Sequence, residues 1–382
     1  PRMTAFPGPS GVPPVVGIVG SRGAFGRWMA RFLRERMGLQ VIGHDPAGDT
    51  ALSPRDLALQ ADVLVFSAPI RHTVAIIDEY VAAAAGDEAG KLWLDITSIK
   101  QQPVEAMLRS RAEVAGLHPM TAPPKIDTLA GRTMAVCRAR IDRWEPWLDH
   151  LLATSQADCV EIEPLAHDRA MALVQGLVHA SHLAQAAVLR ELAPAAGGLP
   201  ALHALRTIGH DLDQTVTGRI LSGNPAIYED IQFGNPHVLP MLERLSDAVA
   251  LLHAQVTEGS DHARTVVRDR FLQQPTPWFG ADELPARSHG FERMGYLQAD
   301  LQGRRYLSVY LPQDRPGSLR ALLEVFERLG VNLGSIHSSR TPDGELHFRI
   351  GLDAMPVSMA TLRDAVESEG IGRVVEARDD AG

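Results

Sequence analysis

Val15-Val16-Gly17-Ile18-Val19-Gly20-Ser21-Arg22-Gly23-Ala24-Phe25-Gly26 is the stretch on which the fold turns. A short apolar run leads into glycines at 20, 23 and 26, and then Phe25, Met29, Phe32 and Leu33 recur at helical spacing. Such a run marks a strand buried on both faces of a parallel sheet. The glycines let the chain turn tightly, approach a pyrophosphate and pack the helix on the strand, and the helix start offers unpaired N–H groups to phosphate. Gly20, Ser21, Arg22, Gly23, Ala24, Phe25 and Gly26 are therefore the candidate cofactor contacts. The usual Gly-x-Gly-x-x-Gly would need glycine at 21, where Ser21 stands, and a plain βα turn without ligand is the competing reading. Asp45 weighs against it, nineteen positions beyond Gly26 at the end of the next strand. A carboxylate there accepts hydrogen bonds from both ribose hydroxyls and repels a 2′-phosphate, which favours NAD over NADP. Arg22 keeps NADP open, because a guanidinium can meet either the pyrophosphate or a 2′-phosphate.

Further strands are expected at 39–44, 62–67 and 91–96, with weaker ones at 114–117 and 133–137 and a helix over 72–85. This βα alternation implies a doubly wound parallel sheet of the Rossmann type, an α/β fold, over 15–163. From Pro164 the pattern changes. Residues 164–192 read as one long helix, apolar nearly all round, which has to be covered on several sides by a bundle or a second subunit. Further helices follow without a convincing strand, so 164–274 reads as an all-α domain, the one that the resemblance given below makes the substrate and dimerisation domain. Pro275-Thr276-Pro277, Gly280 and Pro285 mark 275–303 as a linker. Residues 304–378 return to a βαββαβ order, a small ferredoxin-like domain. Residues 1–14, rich in Pro and Gly, read as a flexible tail.

The 382 residues carry 45% hydrophobic side chains and a net charge of −9 with no basic run. That composition speaks against nucleic acid as the main partner. No apolar stretch reads as a membrane span, and Cys137 and Cys159 read as reduced core thiols of a cytoplasmic protein. No spacing calls for a metal. His179 and His182 could share a helix face, but interior or interface hydrogen bonding suits them better.

Two later segments carry chemistry. Asp95-Ile96-Thr97-Ser98-Ile99-Lys100 and Gly116-Leu117-His118-Pro119-Met120 both end expected strands. Ligands of doubly wound sheets sit beyond those ends, so Ser98 and His118 are expected to meet near a nicotinamide. A neutral imidazole can take a hydroxyl proton while hydride leaves the same carbon. Ser98 would orient that hydroxyl, and Pro119 stiffens the chain beside the histidine. Lys100 is either a sensor of a substrate carboxylate or a solvated charge. Gln175 comes near His179 by helical spacing and is a candidate for the cleft wall.

These segments, with Ala166-His167-Asp168-Arg169-Ala170-Met171, Gly218-Arg219 and Tyr228-Glu229-Asp230-Ile231, resemble the prephenate dehydrogenase family over about residues 15–275. The resemblance implies a Rossmann domain joined to a helical dimerisation domain, hence a homodimer. It implies oxidative decarboxylation of prephenate to 4-hydroxyphenylpyruvate with NAD or NADP, in tyrosine biosynthesis. It casts His118 as the base for the 4-hydroxyl proton, Ser98 as its orienting partner and Arg219 as the ligand of the ring carboxylate. Asp211, Asp213 and Gln214 stand where a second basic residue is expected, and Thr121-Ala122-Pro123-Pro124 replaces a glycine-bearing stretch, so prephenate and arogenate both stay open.

Residues 311–319 and 329–333 resemble an ACT domain, a module that binds amino acids. The resemblance makes Asp314, Gly317 and Asn332 candidate effector contacts, with tyrosine as the expected effector and simple subunit pairing as the bland alternative. Two other readings remain: a non-catalytic sensor of NAD and an amino acid, and a related imine or hydroxyacid reductase. The reductases rely on a helical-domain lysine, and beyond Gln102 this chain has only Lys125.

Overall fold

A computed structural model describes residues 5–124, 126–301, 305–311, 315–340, 345–353 and 355–379. The chain forms two compact units, Pro1–His253 and Ala254–Gly382. The first opens with β1 (Val15–Val19), α1 (Ala24–Glu35), β2 (Gln40–His44), α2 (Pro54–Gln60), β3 (Val63–Phe66), α3 (Ile70–Ala84), β4 (Leu92–Asp95), α4 (Gln101–Met107), β5 (Glu113–Pro119), β6 (Thr133–Arg140), α5 (Glu145–Ser155) and β7 (Asp158–Glu161). The seven strands lie in the order β2-β1-β3-β4-β5-β6-β7. All neighbours run parallel except β5 and β6.

The apolar runs behave as strands clothed on both faces. Val63 and Val65 enter one core with Trp28, Phe32 and Leu33 of α1 and Trp147 of α5. Leu64 and Phe66, one step out of phase, enter the other with Leu57, Ile77 and Tyr80 of α2 and α3. Period-two side chains buried on both sides leave no polar face to alternate. The chain leaves β1 toward β2 and returns past it to β3, so the strand order reverses between β1 and β3. A crevice opens there beyond the carboxyl ends, where this fold class holds its ligands.

The helical part follows as α6 (Pro164–Met171), a π-helical stretch Ala172–Leu177, α7 (Val178–Leu192), α8 (Gly198–Ala204), α9 (Ile208–Leu221), α10 (Pro225–Gly234) and α11 (Val238–Glu258). Two side chains from it cap helices of the nucleotide part. Asp168 accepts from the backbone N–H groups of Lys100 (2.7 Å) and Gln101 (3.0 Å) at the start of α4. Asp230 accepts from the backbone N–H of Arg71 (3.2 Å) at the start of α3 and pairs with its guanidinium, which also reaches Glu229 at 3.0 Å. Carboxylates at helix N-termini satisfy orphan donors and complement the macrodipole.

The second unit contains α12 (Asp261–Val267), α13 (Pro275–Phe279), α14 (Glu283–Leu301), β8 (Arg305–Leu311), α15 (Ser318–Arg328), β9 (Leu333–Arg340), β10 (Leu346–Leu352), α16 (Met359–Ser368) and β11 (Arg373–Asp379). Its sheet runs β11-β8-β10-β9, antiparallel throughout. Leu322, Val325 and Phe326 of α15 and Leu362 and Val366 of α16 cover one face of it.

Three expectations are corrected. The linker expected over 275–303 is largely helical, in α13 and α14. Pro275 stands in the first turn of α13 and Gly280 follows its end at φ +86°, so these residues punctuate helices. Residues Pro164–Ala196 form a helix long and apolar enough, by length and composition alone, to cross a membrane. Within it Leu173, Val174, Val188 and Leu192 are exposed, while His167 and Asp168 are buried in a polar network. Cys159 is exposed rather than a core thiol, because β7 is the edge strand and all four of its residues face outward.

Candidate functional site

The glycine turn is dictated by close approaches of the chain to itself. Gly20 has φ +84°, and a Cβ on it would lie 2.2 Å from Ser67 O. A Cβ on Gly26 would lie 2.2 Å from Gly20 O. These two glycines let β1, the start of α1 and the end of β3 meet, whereas Gly23 is less crowded. Ser21, in place of the usual second glycine, donates from Oγ to Asp49 Oδ2 at 2.5 Å. Ala24 opens α1, and Phe25 turns inward, edge-on to Trp28 at 5.7 Å.

Asp45 follows the end of β2 and accepts from the backbone N–H of Arg22 and of Ala47, each at 2.9 Å. A carboxylate offers about four acceptor positions, so two remain for ribose hydroxyls. The Arg22 guanidinium leans on the loop after β2, 3.4 Å from Gly48 O, beside Asp45. A cavity of about 610 Å³ opens here, lined by Gly20, Gly23, Asp45, Ser67, Pro69 and Ile76 among others. It sits at the β1/β3 crevice and has the size of a nucleotide pocket. The turn, the remaining acceptor capacity of Asp45 and this cavity fit a dinucleotide.

His118 lies at the end of β5 and is 3% exposed. Its Nδ1 is 2.9 Å from His167 Nε2, and His167 Nδ1 is 2.8 Å from Asp168 Oδ1. No hydrogen bond among the described residues engages His118 Nε2. Burial, then the neighbouring His167 and Lys100, hold the His118 pKa well below the usual imidazole value, so the ring is neutral and able to accept a proton. Ser98, in the loop after β4, is half-buried.

Lys100 corrects its expectation. It is wholly buried and is neither a solvated charge nor open to a substrate. Its Nζ is ion-paired with Asp95 and donates to Leu117 O at 2.8 Å. Burial raises the Asp95 pKa against the pull of Lys100. Gly116 makes the room, because a Cβ there would lie 3.0 Å from both Asp95 Oδ1 and Lys100 Cδ. The pair thus fixes the strand end that carries His118.

Arg219 is exposed on α9, and its guanidinium makes no ion pair among the described residues. Its carbonyl accepts from Tyr228 OH at 3.4 Å, and Tyr228 packs edge-on to His179 at 5.0 Å. His179 Nδ1 is buried without a hydrogen-bond partner among the described residues, and burial lowers that ring's pKa. Gln175 is half-buried in the π-helical stretch Ala172–Leu177. No hydrogen bond or ion pair among the described residues joins Arg219 to His118 or Ser98. His182 bonds to Val178 O and Asp213 at 2.8 and 3.2 Å.

His167 and Asp168 were passed over as a candidate pair by sequence reasoning. An adjacent His-Asp on a helix start was the available clue, but only the fold brings it to His118.

In the second unit Gly317, at φ +95°, precedes α15, and Asn332 Nδ2 donates to Asp353 Oδ2 at 2.9 Å. Asp314 lies outside the described residues.

Residues 163–266 match the model of the prephenate dehydrogenase dimerisation domain, and residues 305–358 match the ACT domain. A Methanocaldococcus jannaschii protein described as "Probable arogenate/prephenate dehydrogenase" is 28% identical over 241 residues, 58% of this chain and 52% of that protein. The T-protein of Enterobacter agglomerans is 29% identical over 276 residues, covering 70% of this chain and 68% of that protein. The chain thus spans about half the length of the archaeal relative and about two thirds of the bacterial one. A crystal structure of Aquifex aeolicus prephenate dehydrogenase with hydroxyphenyl propionate and NAD+ superposes with a TM-score of 0.50 at 19% identity. It covers 67% of this chain and 95% of that one, a likeness of fold.

Proposed function

We propose that the chain is a member of the prephenate/arogenate dehydrogenase family, and that it oxidatively decarboxylates prephenate to 4-hydroxyphenylpyruvate with NAD. The observation that carries this reading is His118, a neutral buried imidazole with one ring nitrogen free, at the carboxyl end of the sheet that forms the nucleotide crevice.

When bound, the nicotinamide supplies the acceptor for the hydride of ring C4. His118 takes the 4-hydroxyl proton at Nε2, and Ser98 directs that hydroxyl. The exposed Arg219 guanidinium, lacking an ion pair among the described residues, pairs with the ring carboxylate. Loss of CO2 from C1 makes the ring aromatic, which drives the reaction forward, so the residues mainly position the substrate and hold the proton. Asp45 receives the ribose hydroxyls and favours NAD. Arg22 beside it is the feature that would admit NADP.

Pairing of two copies through the dimerisation domain fits the exposed apolar side chains of 164–196. The ACT domain is read as the receiver of tyrosine through Gly317, Asn332 and Asp314. A cytoplasmic biosynthetic enzyme suits this reading.

The test is a spectrophotometric assay of prephenate and of arogenate with each nicotinamide cofactor. Turnover of prephenate with NAD is expected. Turnover of arogenate alone would reassign the substrate, and no reduced cofactor with either would favour a non-catalytic sensor. His118→Asn is expected to lose about 10²- to 10⁴-fold in kcat, the usual worth of general-base assistance, while NAD still binds.

A further inference from the structure

The hydrogen bonds of His118 continue beyond its own ring. They run from His118 Nδ1 to His167 Nε2 (2.9 Å) and from His167 Nδ1 to Asp168 Oδ1 (2.8 Å). The three side chains are at most 3% exposed, so water does not compete for these bonds. The Asp168 carboxylate is itself held by the backbone N–H groups of Lys100 and Gln101.

The direction of the chain follows from which atoms can donate. An ionised carboxylate only accepts, so the proton between Asp168 and His167 belongs to His167 Nδ1. A neutral imidazole carries one N–H, so His167 Nε2 is bare and accepts. The proton between the rings then belongs to His118 Nδ1, and the lone pair of that ring is at Nε2.

We propose that His167 and Asp168 are positioning residues that lock His118 in its Nδ1–H tautomer, with Nε2 kept as the proton acceptor for the substrate hydroxyl. The proposal deepens the reading of His118 as the base and rests on it. In the opposite tautomer Nε2 would carry a hydrogen and could only donate. When Nε2 takes the substrate proton, His118 Nδ1–H stays on His167 and His167 Nδ1–H stays on Asp168. No proton crosses the relay, and the new positive charge faces a carboxylate at its far end. The other charged group that bears on His118 is Lys100, which is paired with Asp95. Lys100 bonds to neither ring, so among the described residues Asp168 is the one carboxylate that sets the order.

The full chain labelled with 15N-histidine reports the tautomer directly in long-range 1H–15N spectra, with His118→Asn identifying the His118 signals among the 15 histidines. Near neutral pH the expected result is a proton on His118 Nδ1 and none on Nε2. A proton on Nε2 overturns the proposal, whatever the turnover. The expected tautomer in a protein inactive on both cyclohexadienyl substrates would overturn the functional reading and uphold the relay. In kinetics, His167→Leu is expected to lose roughly 10- to 100-fold in kcat, part of what general-base assistance is worth, with NAD affinity kept and the acid limb of kcat/KM displaced. His167→Gln, whose side-chain oxygen can still accept from Nδ1, is expected to recover part of the loss. An unchanged profile in His167→Leu, or an equal loss in both variants, overturns the proposal.

Discussion

Lys100 and His118 are both buried at neighbouring strand ends, and they call for opposite experiments. Removing one partner of a buried ion pair strands the other charge, so Lys100→Met is expected to lower stability by about 3–5 kcal/mol in denaturant unfolding. A raised KM for substrate with unchanged stability would restore Lys100 as a carboxylate sensor. For His118 the base must be unprotonated to work, and burial with His167 and Lys100 nearby depresses its pKa. The acid limb of kcat/KM is therefore expected well below pH 6.5, the ordinary imidazole value; a limb at or above it would show a solvated ring. The place of His118 at a strand end was legible in the sequence, because the apolar run before it and the proline after it mark that end. The lysine was not, since a charge after a strand carries no mark of burial. The mark is on the next strand, in Gly116 of β5, whose missing Cβ leaves the space that Lys100 fills.

Among the elements, the β1–α1 turn is the most sharply defined by sequence. Gly26→Ala places a methyl 2.2 Å from Gly20 O, so α1 has to move off the strand. The expected outcome is at least a tenfold loss of NAD affinity with the fold retained, read by fluorescence titration; a tenfold change is about 1.4 kcal/mol. Undiminished affinity would place the dinucleotide elsewhere. The strands of the parallel core were legible because burial on both faces writes them as unbroken apolar runs. β7 was not, because its four residues, Asp158 to Glu161, all face outward and show no period. α13 and α14 were missed for another reason: proline at a helix start and glycine after a helix end are also the residues of loops. The π-helical stretch 172–177 likewise departs from a 3.6-residue count, so plain helical spacing does not fix the face of Gln175.

At the scale of the whole chain, the helical part leaves large apolar side chains uncovered, including Leu173, Val188, Leu192 and Leu205. Faces of this kind need a second surface, and sedimentation is expected to find two copies associated. The effector reading is tested by calorimetry on the full chain with tyrosine, phenylalanine and tryptophan. Tyrosine is expected to bind and to weaken substrate binding by the factor with which substrate weakens its own, as linkage requires. Absence of heat with all three would end the effector reading. The module's βαββαβ order was legible from alternating apolar residues, whereas its ligand was not, since Asn332 already bonds Asp353.

Asp168 serves two bodies at once: it seals the first turn of α4 and terminates the line of imidazoles. Attachment and readiness are thereby fused in a single carboxylate. Any swing that lifts α6 from α4 withdraws the anchor from both, and the imidazole at the strand end loses the instruction that tells it which nitrogen to leave bare.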